Sequence, residues 1–159
     1  LAYAYQLGRG TKLDLVEAVR WYKLAAEEGL PIAQVNLGKI LMNGGPGVEA
    51  NPVEGFKWTK AAAMAGYGHA QVGLAIYLYS GNGTPKDFVE AYAWANVAGA
   101  SGKVERAKEL RDEIESKMDR AQLAEAQKRS KEINELIEQE SDDFLKRQSV
   151  RELRERRGA

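Results

Sequence analysis

The chain contains no cysteine and a single histidine, His69. A disulfide frame and a thiolate metal site are therefore excluded, and one imidazole does not make a histidine-rich metal site. Neither sign of charge is in excess: 23 Lys and Arg stand against 23 Asp and Glu, a formal net charge of zero. Such a chain has no global field to gather nucleic acid or an anionic membrane surface, and neither is expected as a partner. No run of about 18 apolar residues is present, so membrane insertion is not expected, and no signal peptide is visible. Aromatic residues are scarce in one region only. Residues 1–102 hold 12 of the 13 aromatic side chains, and residues 103–159 hold Phe144 alone. Charge runs the other way, with 8 basic and 8 acidic residues in the first part and 15 of each in the second. The change in composition predicts a boundary near Lys103.

What the first part does contain is repetition. Val16-Glu17-Ala18-Val19-Arg20-Trp21 is echoed at Val53-Glu54-Gly55-Phe56-Lys57-Trp58 and at Val89-Glu90-Ala91-Tyr92-Ala93-Trp94. The tryptophans are 37 and 36 residues apart, and Gly29, Gly66 and Gly102 keep the same intervals. A period of this size predicts a stack of helical units, each burying the face of the next. Within a unit, the turn glycines Gly8/Gly10, Gly44/Gly47 and Gly81/Gly83 are followed by Asp14, Asn51 or Asp87, and three residues on by Glu17, Glu54 or Glu90. That spacing predicts a capping box at a helix start, with Pro52 suited to a first helical position. Ala18, Trp21 and Ala25 and their equivalents form an i, i+3, i+7 stripe, placing the tryptophans in the core. Trp58, flanked by units on both sides, is expected to be more buried than Trp21. Gly29, Gly66 and Gly102 are expected to end these helices in a left-handed cap. The preceding helix of each unit is read from Ala33-Gln34-Val35-Asn36-Leu37-Gly38 and Ala70-Gln71-Val72-Gly73-Leu74-Ala75. Leu1-Ala2-Tyr3-Ala4-Tyr5 is its truncated first copy, from which an upstream segment is expected.

The pattern A-Q-x-x-L-G, a glycine pair, then D-x-x-E-A-x-x-W-x-x-x-A-A-x-x-G resembles the Sel-one-like (Sel1-like) repeat family, a short α-solenoid related to tetratricopeptide repeats. The resemblance covers residues 1–102 as about three repeats. Residues 107–132 resemble the helical tail that follows the last repeat in bacterial members. Thr59 and Ala95 depart from the pattern where Tyr22 carries the usual aromatic, and Gly55 replaces a helical alanine. The resemblance implies an all-α superhelix of helix-turn-helix repeats with C-terminal capping helices. It also implies a scaffold or adaptor that binds a protein or peptide, with the compartment open between bacterial periplasm or cell envelope and cytoplasm.

Residues 103–159 are expected to cap the array and run on as a charged helical tail. Val104, Ala107, Leu110, Ile114 and Met118 form an apolar stripe for a final helix that covers the last repeat. Asp119 and Gln122 have capping-box spacing. Leu123, Ala126, Ile133, Ile137 and Phe144 continue an apolar line near heptad spacing that Glu140 interrupts, so a monomer is expected, with dimerisation through these helices as the alternative. Ser141-Asp142-Asp143 is read as a further helix start, and Arg151, Arg154, Arg156 and Arg157 as a frayed, solvated end.

No catalytic residue, metal site or cofactor is assigned. His69 reads as a helix-start residue rather than part of a Ser-His-Asp arrangement. The glycine pairs complete no phosphate-binding motif, and carboxylate pairs such as Glu27 and Glu28 have no apolar setting to raise a pKa. The chain therefore reads as a non-enzymatic binding module. Placing Leu1, Leu37 and Leu74 in the core sets Tyr3, Gln6, Lys39, Met42, Ile76 and Tyr79 on the inner, concave face as the partner-binding residues. Tyrosine and methionine there supply large, adaptable contact area. The alternative is a structural protein that self-associates through its C-terminal helices.

Overall fold

The computed structural model describes residues 2–7, 14–100 and 104–158, and for Ala4 and 151–158 the backbone alone. Eight helices follow one another among the described residues: α1 (Ala2–Leu7), α2 (Leu15–Glu27), α3 (Pro31–Asn43), α4 (Pro52–Met64), α5 (Gly68–Ser80), α6 (Phe88–Ala100), α7 (Arg106–Glu115) and α8 (Arg120–Gly158). Among the described residues there is no strand, only an isolated bridge between Gly45 and Val48 in the α3–α4 turn. Each helix from α1 to α6 packs on the next, the progression of a solenoid in which α1, α3 and α5 are the first helices of their units and α2, α4 and α6 the second.

The second helices begin as the spacing predicts, with one difference. Asp14, Asn51 and Asp87 accept the backbone N–H of Glu17, Glu54 and Glu90 at 3.0, 3.2 and 3.0 Å. The return half of the capping box is absent. The N–H groups of the three cap residues donate instead to the carbonyls of Tyr5, Leu41 and Leu78 on the preceding helix. That bond ties the two helices of a unit together and leaves the three glutamates without a capping duty. The full reciprocal box occurs once, at the start of α8, where Asp119 N–H donates to Gln122 and Gln122 N–H donates to Asp119 at 3.0 and 2.8 Å.

The ends of α2 and α4 share a Schellman closure. Gly29 (φ 82°) and Gly66 (φ 78°) take the left-handed conformation that glycine tolerates. Their N–H groups reach Ala26 and Ala63, while those of Leu30 and Tyr67 reach Ala25 and Ala62. The glutamine of each A-Q motif then locks successive units: Gln34 and Gln71 are buried and donate to those same carbonyls of Ala26 and Ala63, each at 3.2 Å. Leu1, the turn glycines Gly8 and Gly10, and Gly102 lie outside the described residues.

Of the predicted stripe, Ala18, Gly55, Ala62, Ala91, Trp94 and Ala98 are buried, while Trp21, Ala25 and Trp58 are not. The buried face also takes in the i+4 position of all three helices, Tyr22, Thr59 and Ala95. The tryptophan at i+3 is therefore buried in α6 alone. Trp21 is 37% exposed, Trp58 is half-buried and Trp94 is 3% exposed. Trp58 is indeed more covered than Trp21, but the deeply buried member is Trp94. Gly55 and Thr59 are explained by α3: a β-carbon on Gly55 would stand 2.8 Å from the Gly38 carbonyl oxygen, and one on Gly38 would stand 2.6 Å from Thr59 Oγ1. Two helices touching backbone to backbone make α3 and α4 the most extensive helix pair.

The cap is α7, with Ala107, Leu110 and Ile114 buried and Val104 and Met118 packed against the same core. The tail differs from expectation. No new helix starts at Ser141, and the chain does not fray before Gly158; α8 is one helix of 39 residues. It also does not pair with α7 as the second helix of a fourth unit. It packs on α6 and reaches the end of α4, where Ile137 Cγ2 comes within 3.7 Å of the place a β-carbon on Gly66 would occupy.

Candidate functional site

Two surfaces are built by the repeat. The first is the outward stripe of the first helices. Tyr3 and Leu7 on α1 align with Lys39 and Asn43 on α3 and with Ile76 and Ser80 on α5, while Ile32 and Asn36 align with His69 and Gly73. Tyr3 and Ile32 are 54% and 58% exposed, Leu7, Lys39, Asn43, His69 and Ser80 are exposed, and Ile76 is half-buried against the core. Three of the six residues singled out from the sequence, Tyr3, Lys39 and Ile76, therefore share one stripe.

The other three turn inward, because they lie one residue before the outermost position of their helix and face the second helix of the unit. Met42 is 4% exposed and offers nothing to a partner. Gln6 accepts the Tyr22 hydroxyl at 2.6 Å. Tyr79 packs its ring on Phe88, with centroids 5.7 Å apart, and its hydroxyl hydrogen-bonds Glu113 of α7. That bond, followed by partial burial and the negative charge of Glu113, raises the Tyr79 pKa. Tyr22 is raised as well, chiefly by burial and then by Tyr3, against a lowering hydrogen bond from Asn36, and burial raises Tyr77. Phenols that keep their protons serve these sites as hydrogen-bond donors, not as bases.

The second surface, which the sequence reading missed, is the outer ridge of the second helices. On α4 a shallow groove of about 470 Å³ is lined by Asn51, Val53, Glu54, Lys57, Trp58 and Ala61. The equivalent residues on α6 are Asp87, Val89, Glu90, Ala93, Trp94 and Val97. There α8 has taken the ridge. Arg129 forms a salt bridge to Glu90 and a second to Glu132, and the two carboxylates raise the guanidinium pKa. Ala126 and Ile133 are fully buried on either side of Arg129 along α8. The graded exposure of the tryptophans is the signal that separates a covered ridge from an open one, and three equal tryptophans in a sequence do not carry it.

His69, the second residue of α5, is exposed and meets Tyr67 edge to face at 5.9 Å between ring centroids. Among the described residues no three His, Cys, Asp or Glu side chains gather to hold a metal ion. Nor, among them, is any helix long and apolar enough to cross a membrane.

Helix pairs stacked with a 36–37-residue period, interlocked by a buried glutamine, define an α-solenoid repeat protein. The Sel1 repeat model matches residues 1–30, 31–67 and 68–103, and the chain belongs to that family. Solved structures agree. A Sel1 repeat protein from Oxalobacter formigenes is 35% identical with a TM-score of 0.62, over 67% of this chain and 43% of that one. A protective antigen present in uropathogenic Escherichia coli strains, displaying an SLR fold, is 26% identical with a TM-score of 0.57, over 92% of this chain and 39% of its own. The chain thus spans about two-fifths of the length of either neighbour. No curated protein matches it. Sel1 repeat proteins generally act as protein-interaction scaffolds.

Proposed function

We propose that the chain is a non-enzymatic interaction module whose first-helix stripe, centred on Tyr3, Lys39 and Ile76, binds an extended peptide or a protein surface. The observation that carries this reading is the exposure of large apolar side chains at one helix face in register: Tyr3, Leu7 and Ile32 stand in solvent beside Lys39 and Asn43. Apolar bodies ringed by polar side chains are what a protein interface buries. Photo-crosslinking residues introduced at Tyr3, Lys39 and Ile76 are expected to capture a partner that the same group at Glu109 of α7 does not. Equal capture at all four positions overturns the assignment.

A second reading rests on its own observation. Beyond Ile137, α8 leaves the body, and Phe144 and Leu145 are 56% and 59% exposed on a helix without a neighbour among the described residues. Self-association through this segment predicts that mass in solution falls to that of a monomer when residues 139–159 are removed. A monomer before and after removal sinks it.

A further inference from the structure

The ridge of α4 shares Val53, Glu54 and Trp58 with Val89, Glu90 and Trp94 of the α6 ridge on which α8 lies, yet among the described residues no helix covers it. We propose that the α4 groove is a second binding site, for an amphipathic helix of a partner that presents an arginine to Glu54 between small or aliphatic residues one turn away on either side. The α6 ridge supplies the template. At that ridge Arg129 meets Glu90, Ala126 and Ile133 bury themselves, and Trp94 closes to 3% exposure.

The open copy keeps the glutamate, the valine and the tryptophan of that ridge. Glu54 is released from the cap, because the Asn51 N–H goes to Leu41; its carboxylate accepts the Asn51 side-chain amide at 3.2 Å. Val53 is 57% exposed, and Trp58 is half-buried with its inner side on the first-repeat core. Two positions change charge: the neutral Asn51 stands where α6 has Asp87, and Lys57 where α6 has Ala93. The added lysine is the change an incoming helix has to answer. It calls for a carboxylate on the incoming helix, and Glu132 stands three residues after Arg129 in the template. An Arg-x-x-Glu pair on an aliphatic helix face therefore matches Glu54 and Lys57 together, with both charges partly desolvated against Trp58, where ion pairs count for more than at an open surface. The ridge of α2 is a poorer copy. Its Glu17 is already engaged by Arg20 at 3.5 Å, and its tryptophan is the most exposed of the three. The first-helix stripe takes no part in this site, so the two assignments stand or fall separately.

The test uses the full chain and a synthetic peptide of its own residues 120–138 as the probe, with the three tryptophan indole N–H resonances followed by NMR. Titration to low millimolar peptide is expected to shift the Trp58 resonance saturably and leave Trp94 in place. Glu54→Gln keeps the side-chain shape and the cap, and is expected to weaken binding five- to tenfold. Arg129→Gln in the peptide should do the same, and the two changes together should add little to either. A shift confined to Trp94, lost in Glu90→Gln, means the peptide displaces the resident α8 and overturns the proposal. So does an Glu54→Gln chain that binds the peptide like the parent, or a Trp58 resonance that never moves. A rise in mass of the chain alone that Glu54→Gln abolishes assigns the groove to a second copy instead, and also overturns it.

Discussion

Three tryptophans at one repeat position carry three different energetic loads, and the difference lies in what covers each ring. Trp94→Ala is expected to cost about 3–5 kcal/mol, the range for a large buried aromatic. Trp58→Ala should cost less and Trp21→Ala least of the three, since the part of a side chain already in water loses nothing by truncation. Chemical denaturation of the three variants checks the order, and a Trp21→Ala chain less stable than Trp94→Ala contradicts the register described above. The tyrosines give a prediction in pH. Tyr22, Tyr77 and Tyr79 hold their protons beyond the ordinary value of 10.0. Their contribution is complete below that pH and is lost as pH rises through their folded values, because the unfolded chain gives up the protons first. Stability should therefore fall above pH 10, and Tyr22→Phe and Tyr77→Phe should each flatten that fall. Absorbance titration of the phenolates and melts across the same range check it.

At the scale of elements, most of the helices are legible from turn and cap chemistry, because glycine, proline and Asp or Asn act locally. The caps of α2, α4 and α6 and the Schellman ends at Gly29 and Gly66 sit at the residues that the spacing marks. Tertiary choices are less legible. The i+3 and i+4 positions of a helix lie about 60° and 40° to opposite sides of residue i, and which of Trp21 and Tyr22 turns inward depends on the neighbouring helix rather than on the stripe itself. The same one-residue ambiguity is why Met42 falls in the interior and Gln6 and Tyr79 turn toward neighbouring helices, while Tyr3 and Lys39 stand exposed and Ile76 is half-buried. The path of α8 over α6 instead of α7 was not legible either, since an apolar line along a helix does not say which neighbour it meets. Close backbone approach is a tertiary feature with a sharp test. Gly55→Ala puts a methyl against the Gly38 carbonyl and the Met42 N–H, each 2.8 Å from the new atom. Overpacking of this kind costs about 1–3 kcal/mol, against the stabilisation of up to about 1 kcal/mol that the exchange gives at an unconstrained helix site. A net gain in melting temperature would show that α3 and α4 are not so close.

At the scale of the molecule, the described residues form two apolar clusters rather than one. Ala18, Tyr22, Leu37 and Ile40 form the first, and Leu74, Tyr92, Trp94, Ile114 and Ile133 belong to the second and larger. In a linear stack, stability is a sum over units and their interfaces, so the two clusters need not melt together. Leu37→Ala and Leu74→Ala remove the same side chain from equally buried positions, 1% and 0% exposed. The first is expected to lower the transition reported by Trp21 fluorescence more than that reported by Trp94, and the second to reverse the order; single-tryptophan chains separate the probes. Coincident transitions in both variants would mean one cooperative core.

The departure of α8 from the stack sets a length as well as a contact. From Ile137, the last residue of α8 seen against the body, 21 further residues continue as helix to Gly158, a rigid arm of about 30 Å at 1.5 Å per residue. Its base is clamped by Arg129 and Glu90, so a tilt of a few degrees at that clamp swings the far end through several ångströms. The contacts on α6 thus sit where any change of tilt is magnified along the helix that leaves them.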